Sequence, residues 1–138
     1  MKKISLDVAA DGIATLTLND PDQAMNVVSP QWLVEMEQAI AEIVANDTII
    51  GVILTSAKSA FMAGADLKYI LGRMESGMSL KEAYDFSQQA TAMHRNLEKC
   101  GKPVVAVING LALGGGFELA LACHGRLVKD DPRFKLGL

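Results

Sequence analysis

Two short, uninterrupted apolar runs constrain this chain more than any other feature. Residues 49–54 (IIGVIL) and 104–108 (VVAVI) are rich in β-branched side chains and bounded by turn residues. Runs of this length and type read as strands covered on both faces, as in a sheet flanked by helices. Between them the hydrophobic period changes. Ser79 with Glu82 three residues later forms a capping-box pattern, and a helix is expected from about 80 to 99. An earlier helix starts with Ser29 as cap and Pro30 in the first turn. Its apolar face is Trp32 or Leu33, Met36, Ile40, Ile43 and Val44, and Asn46-Asp47 closes it. The opening residues alternate as a hairpin: Ile4, Leu6 and Val8, then Asp11-Gly12, then residues 13–18. Strands separated by helices make a layered α/β fold.

Composition narrows the classes of function. The chain has 138 residues, which fits one domain without a linker, internal repeat or charge block, and half of them are apolar, which excludes disorder. Sixteen acidic against thirteen basic residues give a net charge of −3, and only 5% are aromatic, so neither phosphate neutralisation nor base stacking is served. No nucleic-acid partner is expected. Cys100 and Cys123 lie beside apolar segments and read as buried free thiols of a reducing compartment. His94 and His124 lack paired ligands at useful spacing, so no metal is expected. Asp7 and Asp11 interrupt any leader-like run after Met1-Lys2-Lys3, and no apolar stretch reaches the ~18 residues of a membrane span. The expectation is a soluble, cytoplasmic protein.

Each apolar run is followed by a turn of small residues that opens a helix. After the first comes FMAGADLK (61–68), and after the second NGLALGGGFEL (109–119). Strand ends of this kind are where α/β proteins hold ligands. Three consecutive glycines fit a backbone that closely approaches a ligand or another backbone, and the Gly115 amide at a helix start can donate to a negative oxygen. A tight strand–helix crossing explains the same glycines without a ligand. Gly64 and Ala65 leave their amides accessible, and Asp66 reads first as a helix cap. Lys68 is either a solvated surface lysine or a contact for an anion. Glu118 is followed by apolar or small residues through Cys123. A carboxylate in such a stretch is expected to lose hydration, which suits it to general acid–base work; as a dipole-favoured helix-start residue it would simply face water. Two amides beside one glutamate would polarise a carbonyl and move a proton next to it, as enolate chemistry requires. Other loops are absent: Leu119 stands where a GxGxxG pattern needs its last glycine, and neither a P-loop nor a GxSxG elbow occurs.

The strings FMAGADLK and NGLALGGGFELALACH closely resemble the two signature segments of the crotonase (enoyl-CoA hydratase/isomerase) superfamily, and Asp20-Pro21 with Ala24-Met25-Asn26 resembles its first CoA-contacting loop. The stretch CHGRLVKDDPRFKLGL is similar to the amino-terminal hydratase part of bacterial multifunctional fatty-acid oxidation proteins within that family. The resemblance implies an α/β chain forming the amino-terminal half of a crotonase (ClpP-like) fold of stacked ββα units, a partial domain over 1–138. It implies that the amides of Ala65 and Gly115 form an oxyanion hole for a thioester carbonyl and that Glu118 positions water and moves a proton. Ala24, Met25, Ala63, Gly64, Asp66, Lys68 and Gly114 would contact the CoA substrate, Lys68 near its phosphates.

The implied reaction is addition of water to the 2,3 double bond of a trans-2-enoyl-CoA; a Δ3–Δ2 enoyl-CoA isomerase and a non-catalytic acyl-CoA-binding or assembly module are the alternatives. The family's second glutamate follows a Gly-Leu-Pro-Glu-like segment, whereas this sequence ends at Gly137-Leu138. The expectation is therefore a fragment that is weak or inactive alone. No cofactor is expected in this chain, and NAD only in a dehydrogenase part of a longer protein. Apolar faces left open by a partial spiral would favour a homo-oligomer or a complex with a thiolase subunit.

Overall fold

The computed structural model describes residues 2–138. As the alternation predicts, the chain opens with an antiparallel hairpin, β1 (Ile4–Val8) and β2 (Ile13–Leu18). Helix α1 (Pro30–Ala45) follows, with Ser29 Oγ accepting from the Trp32 amide at 3.3 Å and Pro30 in the first turn. Trp32, Leu33, Met36, Ala39, Ile40 and Ile43 are buried at the three- and four-residue spacing of one helical face. Val44, expected on that face, is 51% exposed. One residue beyond Ile43 is a rotation of about 100°, enough to turn its side chain outward.

Strand β3 (Gly51–Ser56) begins two residues later than the apolar run. The Ile49 amide donates to Asn46 O and that of Ile50 to Gly12 O, so these two residues belong to the approach rather than the strand. Helices α2 (Leu67–Glu75) and α3 (Leu80–Glu98) lead to β4 (Val104–Ile108). The capping box of α3 forms as expected: Ser79 Oγ accepts from the Glu82 amide and the Ser79 amide donates to the Glu82 carboxylate. Then come β5 (Ala112–Leu113), α4 (Gly115–Ala122), β6 (Gly125–Val128) and β7 (Leu136–Gly137). The main sheet has the order β1-β2-β3-β4-β6, parallel from β2 onward, and β5 pairs with β7 in a second, two-stranded sheet.

The core lies on one face of the main sheet. Leu16, Leu54 and Ala106 stand in register across β2, β3 and β4 and are fully buried in one cluster with Leu33, Met36, Met93 and Leu97 of α1 and α3. The opposite row, Thr15, Ile53 and Val105, is not sealed, and Ile53 is 36% exposed. Strands covered on both faces were expected. Instead, the helical side chains of the described residues join the core from one side only. Cys100 and Cys123 are buried and free, as expected, and burial pushes the Cys123 thiol up to about 12, against a smaller opposing pull from Arg126.

One side chain ties the loops after β2 and β3 together. Asn26 is 1% exposed; its Nδ2 lies within hydrogen-bonding distance of Leu18 O, Ser56 Oγ and Phe61 O, and its Oδ1 accepts from the Asp20 amide at 2.9 Å. Its backbone oxygen also accepts from the Ala63 amide at 2.9 Å. Asp20 in turn pairs with Lys3 Nζ at 2.6 Å, both side chains buried. Removing the Asn26 amide orphans several buried groups at once. Asn26→Ala is therefore expected to lower the unfolding free energy by at least ~2 kcal/mol in urea titrations. A loss below ~0.5 kcal/mol would show the network to be dispensable.

Candidate active site

The two small-residue turns are joined backbone to backbone. The amides of Phe61 and Met62 both donate to Leu111 O, at 2.9 and 3.1 Å, and the Leu113 amide donates to Met62 O at 3.0 Å. The approach is closest at two glycines. Gly64 has φ +97°, and a Cβ there would lie 2.9 Å from Leu113 O and 3.6 Å from the Gly115 nitrogen. A Cβ on Gly116 would lie 2.5 Å from Met62 O and 2.6 Å from Met62 Cβ, which no side chain tolerates. The glycine run thus serves close packing of α4 on the first turn and, by the same contact, brings its first amides beside Ala65.

Both candidate donor amides are free. Val28 brackets Ala65, its amide donating to Gly64 O and its oxygen accepting from the Asp66 amide, but the Ala65 amide has no acceptor among the described residues. Gly114, at φ +48°, precedes α4 and accepts from the amides of Phe117 and Glu118 at 2.9 Å each. The Gly115 amide, first in the helix, has no acceptor among the described residues either. Orphan N–H groups at a helix start carry the positive end of its dipole.

Ala65, Gly115 and Glu118 line one cavity of about 230 Å³. Helix α3 supplies its apolar wall through Phe86, Ala90 and Met93, and adds His94; Val28 and Ser87 complete the lining. Glu118 Oε2 lies 3.8 Å from where a Gly115 Cβ would stand. Its carboxylate is exposed, which corrects the expectation of lost hydration. Leu119 and Ala120 turn into the core while Glu118, on the other side of α4, keeps contact with water. His94 Nε2 is buried and has no hydrogen-bond partner among the described residues. Burial draws the His94 imidazole below its ordinary 6.5, while the Glu118 carboxylate pulls in the opposite direction. A wider depression of about 650 Å³ near Ser59, Asn109, Lys129 and Arg133 lies apart from these groups.

The remaining sequence-selected residues fall into two sets. Ala63, Gly64 and Gly114 form the walls of the joined turns. Asp66 caps α2, its Oδ1 accepting from the Tyr69 amide at 3.0 Å, as its first reading held. Ala24, Met25 and Lys68 are exposed and outside the lining of the cavity. Two residues carry more than the motifs suggested. Asn26 anchors the turns, and His94 lines the same cavity as Glu118; the signal for His94 was its place four residues after Ala90 on the same helical stripe.

Comparison with known proteins bears on this arrangement. The family model described as enoyl-CoA hydratase/isomerase matches residues 9–137. The fatty acid oxidation complex subunit alpha of Shewanella baltica (strain OS185) is 40% identical over 99% of this chain, and the chain spans 19% of the length of that protein. A crystal structure of enoyl-CoA hydratase from Bacillus anthracis superposes with a TM-score of 0.80 at 36% identity, covering 92% of this chain and 47% of that one. The enoyl-CoA hydratase of Mycobacterium smegmatis gives a TM-score of 0.85 at 26% identity over 95% of this chain and 49% of that one.

The contact of α4 with the first turn sets a further expectation. Gly116→Ala forces a methyl group into Met62, so it should destabilise the chain by about 1–3 kcal/mol in urea unfolding. Gly72→Ala, where a Cβ meets nothing within 4 Å, serves as the control and should leave stability within about 1 kcal/mol.

Proposed function

Because the chain belongs to the enoyl-CoA hydratase/isomerase family, we propose that its cavity takes the acyl thioester of an enoyl-CoA, with the thioester oxygen between the amides of Ala65 and Gly115 and Glu118 moving the proton. One observation carries this reading: two backbone amides on adjoining turns, and a carboxylate, all without a partner among the described residues, belong to residues lining the same cavity. Donors aimed at a carbonyl oxygen favour the enolate, because they stabilise the charge that develops there. In hydration, the Glu118 carboxylate takes a proton from water as the water oxygen bonds to C3 of the 2,3-enoyl group. The π electrons shift toward the thioester oxygen as an enolate, and a proton returned to C2 completes the addition. The exposure of Glu118 fits this role, since the carboxylate must hold a water molecule.

A second reading, a Δ3–Δ2 enoyl-CoA isomerase, has its own support. Glu118 is the single carboxylate lining this cavity among the described residues, and one carboxylate suffices to carry a proton from C2 to C4 of the same acyl chain. An acyl-CoA-binding module without turnover is the reading that the Glu118 placement argues against. Ala24, Met25, Ala63, Gly64, Asp66, Lys68 and Gly114 belong to the same proposal as contacts for the CoA portion. The likeness to proteins named fatty acid oxidation complex subunit alpha supports a further proposal, that the residues work within a longer fatty-acid oxidation protein. There a 3-hydroxyacyl-CoA dehydrogenase part would hold NAD outside these residues, and homo-oligomers or a thiolase subunit would be the assembly partners. The chain alone is then a weak hydratase.

The test compares crotonyl-CoA with free CoA for binding, and follows hydration and 3-enoyl to 2-enoyl conversion side by side. Crotonyl-CoA should bind more tightly than CoA, and turnover by the chain alone should fall well below that of a complete family domain. Glu118→Gln should cut whatever turnover exists by about 10²–10⁴-fold with acyl-CoA affinity largely kept. Equal binding of CoA and crotonyl-CoA, or turnover indifferent to Glu118→Gln, would overturn the proposal.

A further inference from the structure

We propose that His94 is a positioning residue for Glu118: an imidazole on the facing helix that pairs with the Glu118 carboxylate when protonated and releases it when neutral, so that His94 sets the pH at which the cavity gains a free base. The proposal rests on the reading of Glu118 as the proton-moving group, and it concerns what governs that group.

Three features of the structure lead to it. His94 on α3 and Glu118 on α4 line the same cavity, and they are the only titratable residues in its lining among the described residues. Among the charged groups on the flanking segments, Lys68 of α2 is exposed and outside the lining. On α3, Arg95 pairs with Glu98 at the surface, and on the first turn Asp66 is committed to the cap of α2. The second feature is the buried Nε2 of His94, which has no hydrogen-bond partner among the described residues. A buried polar atom left so is destabilising, and the chain's other histidine shows what a structural imidazole does instead. His124 Nδ1 accepts from the Val104 amide at 3.0 Å, and its Nε2 lies 3.0 Å from Glu98 O. Both nitrogens of His124 serve the fold, whereas the Nε2 of His94 has no partner in it among the described residues.

The third feature is the direction of titration. Burial favours the neutral imidazole and Glu118 favours the cation, burial being the larger influence. His94 therefore stays neutral to lower pH than an ordinary imidazole, and wherever it is neutral it leaves the carboxylate unpaired. As pH falls through the depressed value, the imidazolium forms, attracts the Glu118 carboxylate and withdraws it as a base. The acid limb of activity then belongs to His94, and below it the pair is closed.

Imidazole and carboxyl resonances of the 138-residue chain, followed by NMR against pH without ligand, test this directly. His94 should titrate below its ordinary value, and Glu118→Gln should shift it further down while His124 stays in place. Reciprocally, the Glu118 carboxyl resonance should carry an inflection at the His94 midpoint, and His94→Gln, which keeps a polar group but removes the charge, should erase it. Where turnover is measurable, His94→Gln should also move the acid limb of its pH profile. A His94 midpoint indifferent to Glu118→Gln, or a Glu118 inflection that survives His94→Gln, would falsify the coupling. These titrations contain no acyl-CoA, so their failure is separate from a failure of the acyl-CoA reading, which the crotonyl-CoA binding comparison detects.

Discussion

Everything at the site depends on the backbone pairing between the turn after β3 and the turn after β4. Three amide-to-carbonyl bonds join residues 61–62 to 111 and 113, and Gly116 packs on Met62 with no space for a methyl group. Because hydrogen-bond geometry tolerates only a few tenths of an ångström, this pairing fixes the offset between Ala65 and Gly115 more tightly than side-chain packing would. The amides left unpaired are a consequence. The Gly115 amide is a first N–H of α4, which has no internal acceptor at any helix start, while Val28 pairs with the Gly64 carbonyl and the Asp66 amide and leaves the Ala65 amide between them unused.

The same joint explains why polar side chains matter so little in the donor pair and so much around it. The donors belong to the backbone, so Ala and Gly suffice at 65 and 115. Support comes from Asn26, which holds the Asp20 and Ala63 segments against Phe61, and from the buried Lys3–Asp20 pair beneath that loop. Side-chain chemistry enters from helices: Glu118 from α4 and His94 from α3. The site is thus a pair of backbone amides beside two helices that present a carboxylate and an imidazole to one cavity.

Much of the fold was legible residue by residue. Ser29-Pro30 and the Ser79/Glu82 box start helices where local chemistry says they should, since a cap acts within three residues of itself. The hairpin around Asp11-Gly12 was legible for the same reason. Ala65, Gly115 and Glu118 were legible through their motifs and do meet at one cavity. The strand start at Gly51, the outward turn of Val44 and the exposure of Ile53 were not, because each depends on which surface a neighbouring element covers. The hydration of Glu118 was misjudged on the same ground: apolar neighbours in sequence lie on the other side of a helix in space.

Local sequence by itself determined the opening hairpin, the two central strands, the helix caps, the two glycine-bearing turns and, through their motifs, the family, whereas the short strands β5, β6 and β7 were not legible in it. These properties rest on interactions spanning a few residues, so a linear string contains them. Tertiary structure alone decided that Ala65 and Gly115 line one cavity, that Asn26 braces the turns beside it, and that His94 joins Glu118 in its lining. Those relations join residues dozens of positions apart, and their geometry is fixed only when strand register and helix packing have been set.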